Sequence, residues 1–295
     1  MPTAKKCAGG KIGVIVRNVV PLRAEAKADA EQVSQAIIGD HAVIEGGHRN
    51  YFFIRTWDAY RGWIDGNCLH ILDPEAAPYA STGPVAVIRE LIADIHEKPH
   101  ERSEIITKAT IAAQLEVSGL VLDWVELRLP KDARGYVRKQ HAKLVDKDLA
   151  QTMWLPEPEK LVETAMRFVG VPYMWGGTTP FGIDCSGFVQ LVHRIHGVTL
   201  FRDACLQAGD PRGLPIQREE IRAGDLVFFG KRIEEKSNTV THVGIAIDRR
   251  RFVHAESSSG VAITSLDDSR YSSIYWGARR MRLATLDLGG GAPQE

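Results

Sequence analysis

The chain is short of cysteine, carries no surplus of charge and has no long apolar run, and each shortage closes off a class of protein. Its four cysteines, Cys7, Cys68, Cys185 and Cys205, show no CxxC spacing and no dense framework, which argues against a structural zinc site and against a disulfide scaffold. Thirty-seven basic residues balance 37 acidic ones, so the long-range field that gathers nucleic-acid backbones is missing and no nucleic-acid partner is expected. No segment approaches the roughly 18 apolar residues that read as a membrane span. The apolar run from Ile12 to Val16 is interrupted by Arg17 and Asn18 before a signal-peptide core has formed, so the chain reads as cytoplasmic. No metal or organic cofactor is implied.

What is present is an ordinary soluble composition, 44% hydrophobic and 25% charged, on 295 residues, which suits two or three domains. Two proline-rich stretches, DPEAAPYASTGP at 73–84 and WLPEPEK at 154–160, read as linkers. Between residues 18 and 144 a weak repeat shows when RGW at 61–63 is laid over RGY at 134–136. The same offset sets Leu22 on Ile95, Tyr51 on Trp124, Ile54 on Leu127 and Arg55 on Arg128. Each copy holds short runs rich in Val, Ile, Tyr, Phe and Trp, divided by Gly, Asn and Asp, the texture of a small antiparallel barrel. The expected layout is a first β-barrel over 1–76, a second over 84–150, an α+β domain over 156–283 and a disordered tail over 284–295. Both barrel segments resemble bacterial SH3-type domains, in which a Gly-Trp or Gly-Tyr pair opens a late strand.

In the third segment, Leu161, Val162, Ala165, Phe168 and Val169 recur at helical spacing behind Pro158, which predicts a helix over 158–169. Phe188, Leu191, Val192 and Ile195 predict a second helix from about Cys185 to Gly197. Strand-like runs follow at 225–230, 241–248, 251–257 and 275–281. A cysteine at the start of a helix lies beside unpaired backbone N–H groups and the positive end of the dipole, which favour its thiolate, and its own N–H can face a developing oxyanion. Cys185, between Asp184 and Ser186, has that position.

A nucleophilic cysteine needs a base, and position has to select one among 10 histidines. His242 lies in an alternating run that places it with Gly244 and Ala246, where these small residues are expected to leave open space beside it. His254 lies in the next run. A two-residue turn at 249–250 would send the two imidazoles to opposite faces, whereas a three-residue loop at 248–250 pairs Ile247 with Arg251 and Gly244 with His254, which brings both rings to one face as diagonal neighbours. The three-residue register is the expectation, with His242 as base and His254 as the group that orients it. His193 and His196 lack acidic or thiol partners at ligand spacing and read as surface or packing residues, and Cys205 as core or pocket wall.

The motifs VPYMWGG at 171–177, DCSGF at 184–188, GDLVFF at 224–229, HVGI at 242–245 and FVHAES at 252–257 resemble, in order and spacing, the NlpC family of papain-like cysteine peptidases that cut peptidoglycan peptides. The resemblance implies Cys185 as nucleophile, His242 as base and His254 as third residue. It also implies Tyr173 as support for the oxyanion, Asp184 and Ser186 as substrate-holding neighbours of the nucleophile, and Gly176, Gly177 and Gly187 as positions of close packing.

Two SH3-type domains ahead of such a domain further resemble the γ-D-glutamyl-L-diamino acid peptidases of the dipeptidyl-peptidase VI kind, which require a free N-terminal L-alanine. In that subgroup the first barrel closes one end of the cleft, and the implied amine contacts are Glu25, Tyr60 and Asp203. Ala204 departs from relatives that place a serine there. The implied substrate is a murein peptide such as L-Ala-γ-D-Glu-diaminopimelate, cut during wall-peptide recycling. The rival readings are a wall-peptide binding protein with a degenerate peptidase domain and an amidase or acyltransferase acting on another amide.

Overall fold

A strict duplication organises the first half of the chain. In the computed structural model, which describes residues 10–73, 75, 78–148, 156–231 and 239–282, seven strands run as β1 (Lys11–Ile15), β2 (Val19–Arg23), β3 (Gln32–Ile37), β4 (His41–His48), β5 (Tyr51–Thr56), β6 (Arg61–Asp65) and β7 (Leu69–Ile71). Seven more follow as β8 (Pro84–Ile88), β9 (Ile92–His96), β10 (Ile105–Thr110), β11 (Gln114–Val121), β12 (Trp124–Arg128), β13 (Arg134–Arg138) and β14 (Ala142–Asp146). Each strand of the second set begins 73 residues after its counterpart. The two antiparallel sheets have one order, β3-β2-β6-β5-β4-β1-β7 and β10-β9-β13-β12-β11-β8-β14. Even the bulge is repeated, between Ile44 and Gly46 in one and between Val117 and Gly119 in the other. Both sheets are SH3-like.

The alternation that makes the strands also fills their cores. Ile15, Leu22, Ile54 and Ile64 are fully buried in the first sheet, and Ile88, Ile95, Leu127 and Val137 occupy the matching places in the second. The proline-rich stretch at 73–84, read as a linker, also contributes to the core. Tyr79 and Ala80 are buried in one cluster with Val14, Ile37 and Ile38 of the first copy and Val85, Leu115 and Leu127 of the second. The Tyr79 hydroxyl donates to the carbonyl of Arg128 at 2.6 Å and accepts from the N–H of Glu116 at 3.2 Å, so the buried phenol is satisfied. Residues Met1–Thr152 accordingly form one compact unit, and Met153–Glu295 a second.

The second unit opens with α1 (Pro158–Met166), begun by proline in the first turn, where its missing N–H costs nothing. It ends three residues short of the predicted boundary, and Val171 is reached through turns and Gly170, whose φ is +89°. A short hairpin of β15 (Thr178–Thr179) and β16 (Gly182–Ile183) leads into α2 (Cys185–Ile195), and α3 (Ala204–Ala208) follows. Then come β17 (Gly213–Ile216), β18 (Leu226–Gly230), β19 (Val240–Ala246), β20 (Arg251–Glu256), β21 (Gly260–Ser265), α4 (Ser269–Ser272) and β22 (Tyr275–Met281). The last six strands form a sheet in the order β17-β22-β18-β19-β20-β21. Helix α2 lies against β19 and β20 and is buried from Cys185 through His193, so it serves as the core of an α+β domain of papain-like type. His193, at 0% exposed, is therefore a packing residue and not a surface one. Cys7 and the tail at 284–295 lie outside the described residues, as do the first two residues of the 154–160 linker.

One position tests how closely the duplicated sheets meet. Gly39 has a φ of +87°, and a Cβ there would stand 2.3 Å from the backbone carbonyl oxygen of Gln114 in the second copy. Its counterpart, Ala112, has a φ of +70° and already carries a Cβ. Gly39→Ala is expected to lower unfolding stability by at least about 2 kcal/mol in a urea titration, whereas Ala112→Gly stays within about 1 kcal/mol of the parent.

Candidate active site

Asp184 caps α2 by accepting from the N–H of Gly187 at 2.7 Å, which sets Cys185 in the first turn with its backbone N–H among those the helix leaves unpaired. The tight approach of the preceding loop fixes this start. A Cβ on Gly187 would fall 2.2 Å from the carbonyl oxygen of Gly177, so only glycine lets the loop lie on the helix. Cys185 is buried, and its sulfur lies by the backbone N–H of Val243 on β19, the residue after His242. Sulfur and imidazole are thus delivered to the same stretch of strand.

The hairpin register is the one that alternation required. Ile245 pairs with Val253 and Ala246 with Phe252, and the N–H of Ile247 donates to the carbonyl of Arg251 at 2.8 Å. His242 and His254 consequently share a face, with Nε2 of His242 2.7 Å from Nδ1 of His254 and the rings nearly perpendicular at 86°. Nε2 of His254 in turn lies 2.9 Å from Oγ1 of Thr264 on β21. The nitrogen of His242 left for exchange with a thiol is Nδ1. Expected open space beside His242 is occupied: a Cβ on Gly244 would meet the Phe252 ring at 2.6 Å and Cβ of His254 at 3.0 Å.

Burial dominates the electrostatics. It pushes the Cys185 thiol up to about 12, with the Asp184 carboxylate adding to the rise, and neighbouring N–H groups only partly offset it. Burial pushes His242 down to about 4 against the opposing charge of Glu256, and His254 down to about 3, helped by His242 itself. Burial thus opposes the charge that the helix start favours on Cys185, and it opposes the charge on His242 as well. Moving the proton from sulfur to imidazole creates two opposite charges together, so the titration belongs to the pair. Tyr173, bridged to Ile183, is pushed up to about 12 by burial and then by the charges on Cys185 and Asp184, which keeps its hydroxyl a donor.

Asp184 and Ser186 are placed inside the protein. Arg202 donates from Nη1 to Asp184 Oδ1 and to Ser186 Oγ, each at 3.0 Å, and from Nη2 to Asp184 Oδ2. Gln207 donates to the carbonyl of Ser186 at 3.1 Å. All four side chains are buried, so the polar groups flanking the nucleophile are held by one another. Asp203 begins α3 with its carbonyl accepting from the N–H of Gln207 at 2.9 Å, and Ala204 beside it is buried.

In the other unit, Glu25 follows the end of β2 and Tyr60 precedes the start of β6, two strands that pair at Arg23 and Trp63. Glu25 is exposed and pairs with Lys27 at 3.4 Å. Among the described residues no group of three His, Cys, Asp or Glu is arranged to hold a metal.

Arg202, Gln207, Thr264 and Tyr271 were not singled out by sequence reasoning. The Tyr271 ring stands edge-on to His254 at 4.9 Å, and its hydroxyl donates to Glu256 at 2.6 Å, which seats a carboxylate near both imidazoles. The one available signal was alternation in VAITS at 261–265, which puts Thr264 on the same face as Ala262, the register partner of His254.

If the pair shares its proton, removing the imidazole leaves a lone buried thiol. His242→Ala is expected to slow alkylation of Cys185 by iodoacetamide at pH 7 at least about tenfold, with the rate then climbing through pH 10 without a plateau. Equal rates in parent and variant at pH 7 would refute the pairing.

Comparison with known proteins agrees with this geometry. The NlpC/P60 family profile matches residues 170–280. Dipeptidyl-peptidase 6 of Lysinibacillus sphaericus is 28% identical over 264 residues, 86% of this chain and 92% of its own. A γ-D-glutamyl-L-lysine dipeptidyl-peptidase of Bacillus cereus is 27% identical over 232 residues, 77% of this chain and 66% of its own. The crystal structure of an NlpC/P60 family protein from Bacillus cereus superimposes with a TM-score of 0.80 over 92% of this chain and 99% of that one, at 20% identity, a likeness of fold. With the helix-borne cysteine and the facing histidine pair in the matched segment, the C-terminal unit is a domain of the NlpC/P60 family of cysteine peptidases.

Proposed function

We propose that the protein is a cysteine peptidase that hydrolyses the γ-D-glutamyl bond to a diamino acid in murein peptides with a free N-terminal L-alanine. The observations that support the reading are Cys185 at the start of α2, beside the backbone of Val243, and the hydrogen-bonded pair of His242, one residue earlier, with His254, in a chain similar along most of its length to a dipeptidyl-peptidase 6. Cys185 Sγ attacks the γ-carbonyl carbon while its proton passes to Nδ1 of His242. The resulting oxyanion accepts from the backbone N–H of Cys185 and from the Tyr173 hydroxyl. Collapse breaks the C–N bond, and the imidazolium returns its proton to the departing amine. Water, deprotonated by His242, then cleaves the thioester, which frees L-Ala-D-Glu and regenerates the thiol.

An ammonium group calls for carboxylates and a hydroxyl, the groups that Glu25, Tyr60 and Asp203 carry. The duplication sharpens this: at the 73-residue offset the second copy carries Lys98 in place of Glu25 and Ala133 in place of Tyr60, so only the first copy has the acceptors. Wall-peptide recycling in the cytoplasm is the proposed setting.

Incubation with L-Ala-γ-D-Glu-meso-diaminopimelate under reducing conditions should release L-Ala-D-Glu, and Cys185→Ala should lower the rate by at least about a thousandfold. Cleavage at equal rates by parent and Cys185→Ala would overturn the reading in favour of another catalyst in the preparation. Acetylation of the alanine amine is expected to cut kcat/KM at least about a hundredfold, mostly in KM. Equal cleavage of blocked and free peptides removes Glu25, Tyr60 and Asp203 from the amine site.

A further inference from the structure

We propose that Thr264 is a positioning residue for this peptidase: its hydroxyl accepts a hydrogen bond from Nε2–H of His254 and thereby fixes, through His254, the tautomer that lets His242 act as a base. The inference rests on the reading of Cys185 and His242 above and extends it by one strand. Thr264 is 8% exposed, and its Oγ1 lies 2.9 Å from Nε2 of His254, whose Nδ1 lies 2.7 Å from Nε2 of His242. Register explains the alignment. His254 pairs with Ala262 on β21 and, by continuation of the β19–β20 pairing, with Gly244 on β19. Thr264 and His242 are each two residues beyond those partners, so the three side chains form a diagonal row across three neighbouring strands on one face.

Two proton arrangements satisfy such a row. In one, His242 donates from Nε2 to Nδ1 of His254, and His254 donates from Nε2 to the threonine oxygen; Nδ1 of His242 then has a lone pair for the thiol proton. In the other, the threonine hydroxyl donates to Nε2 of His254, His254 donates from Nδ1 to Nε2 of His242, and Nδ1 of His242 is protonated and useless as a base. A third possibility, His254 as a doubly protonated cation, is opposed by burial and by the neighbouring His242. The productive arrangement needs an acceptor at residue 264. A hydroxyl on a strand supplies one, and a methyl group in its place would strand the buried Nε2–H of His254 with nothing to receive it. The row would then settle into the second arrangement. This is the wrong-tautomer loss known for triads whose third member can no longer orient the base.

The test compares Thr264→Val, which keeps the shape, with Thr264→Ser, which keeps the acceptor, in the full chain. Thr264→Val should lose between about tenfold and a hundredfold in kcat on the free-amine tripeptide with KM changed less than about threefold, and Thr264→Ser should recover most of the loss. In a His254→Ala background the valine change should cost less than about threefold more, because its effect passes through His254. Imidazole 15N shifts give a reading that needs no substrate. The parent should show His254 protonated at Nε2 and His242 protonated at Nε2, and Thr264→Val should move His242 toward the Nδ1–H form.

The proposal fails if His254 of the parent carries its proton on Nδ1, if Thr264→Val turns over like the parent, or if the valine effect persists undiminished without His254. The first of these is read on the parent and holds even if the valine variant does not fold. Correct tautomers with no peptide cleavage would instead count against the proposed substrate and leave the role of Thr264 standing.

Discussion

The chemistry of this protein depends on one packing arrangement, the first turn of α2 pressed onto β19. That contact brings Cys185 to the backbone N–H of Val243, the residue that follows His242 on the strand. It also removes water, and every other feature of the site answers to that removal. A dry pocket makes a lone thiolate and a lone imidazolium both unfavourable, so proton transfer has to occur within the pair. The same dryness demands partners for each remaining polar group. Asp184, Ser186 and Arg202 bond one another on the helix side, with Gln207 donating to the carbonyl of Ser186, and His254, Thr264, Glu256 and Tyr271 line the sheet side.

A nucleophile held this way needs rigid support more than it needs charge. The Asp184–Arg202 pair is buried, with the guanidinium gripping both carboxylate oxygens and the serine hydroxyl. Such a pair adds little net stability, but removal of either member leaves an uncompensated charge, so it specifies one conformation of the helix start. The sheet does the same for the base. Three strands in a fixed register carry a row of side chains whose hydrogen-bond direction decides whether His242 can accept a proton.

The duplicated half of the chain shows how a repeat can be conserved in structure and divergent in surface. Strand positions, sheet order and a bulge recur at the 73-residue offset, because the inward residues and the turn geometry are what the fold requires. Outward residues carry no such demand, and Glu25 and Tyr60 become Lys98 and Ala133. The linker between the copies does more than join them. Tyr79 and Ala80 within it complete the core that the two copies share.

Much of this was legible in the linear sequence, since it rests on local rules. Helical spacing marks α2, alternation marks β18 through β20 and β22, the offset of RGW and RGY marks the repeat, and counting residues through DRRR selects the register that sets His242 beside His254. Each of these is a property of neighbouring residues and backbone geometry. The tertiary structure alone decided what depends on burial: the desolvation of Cys185 and His242, the enclosure of Asp184 and Ser186 by Arg202, and the place of Thr264 behind His254. The physical reason is that desolvation and hydrogen-bond partnership across strands are set by which distant segments close over a group, and no window of sequence contains that information.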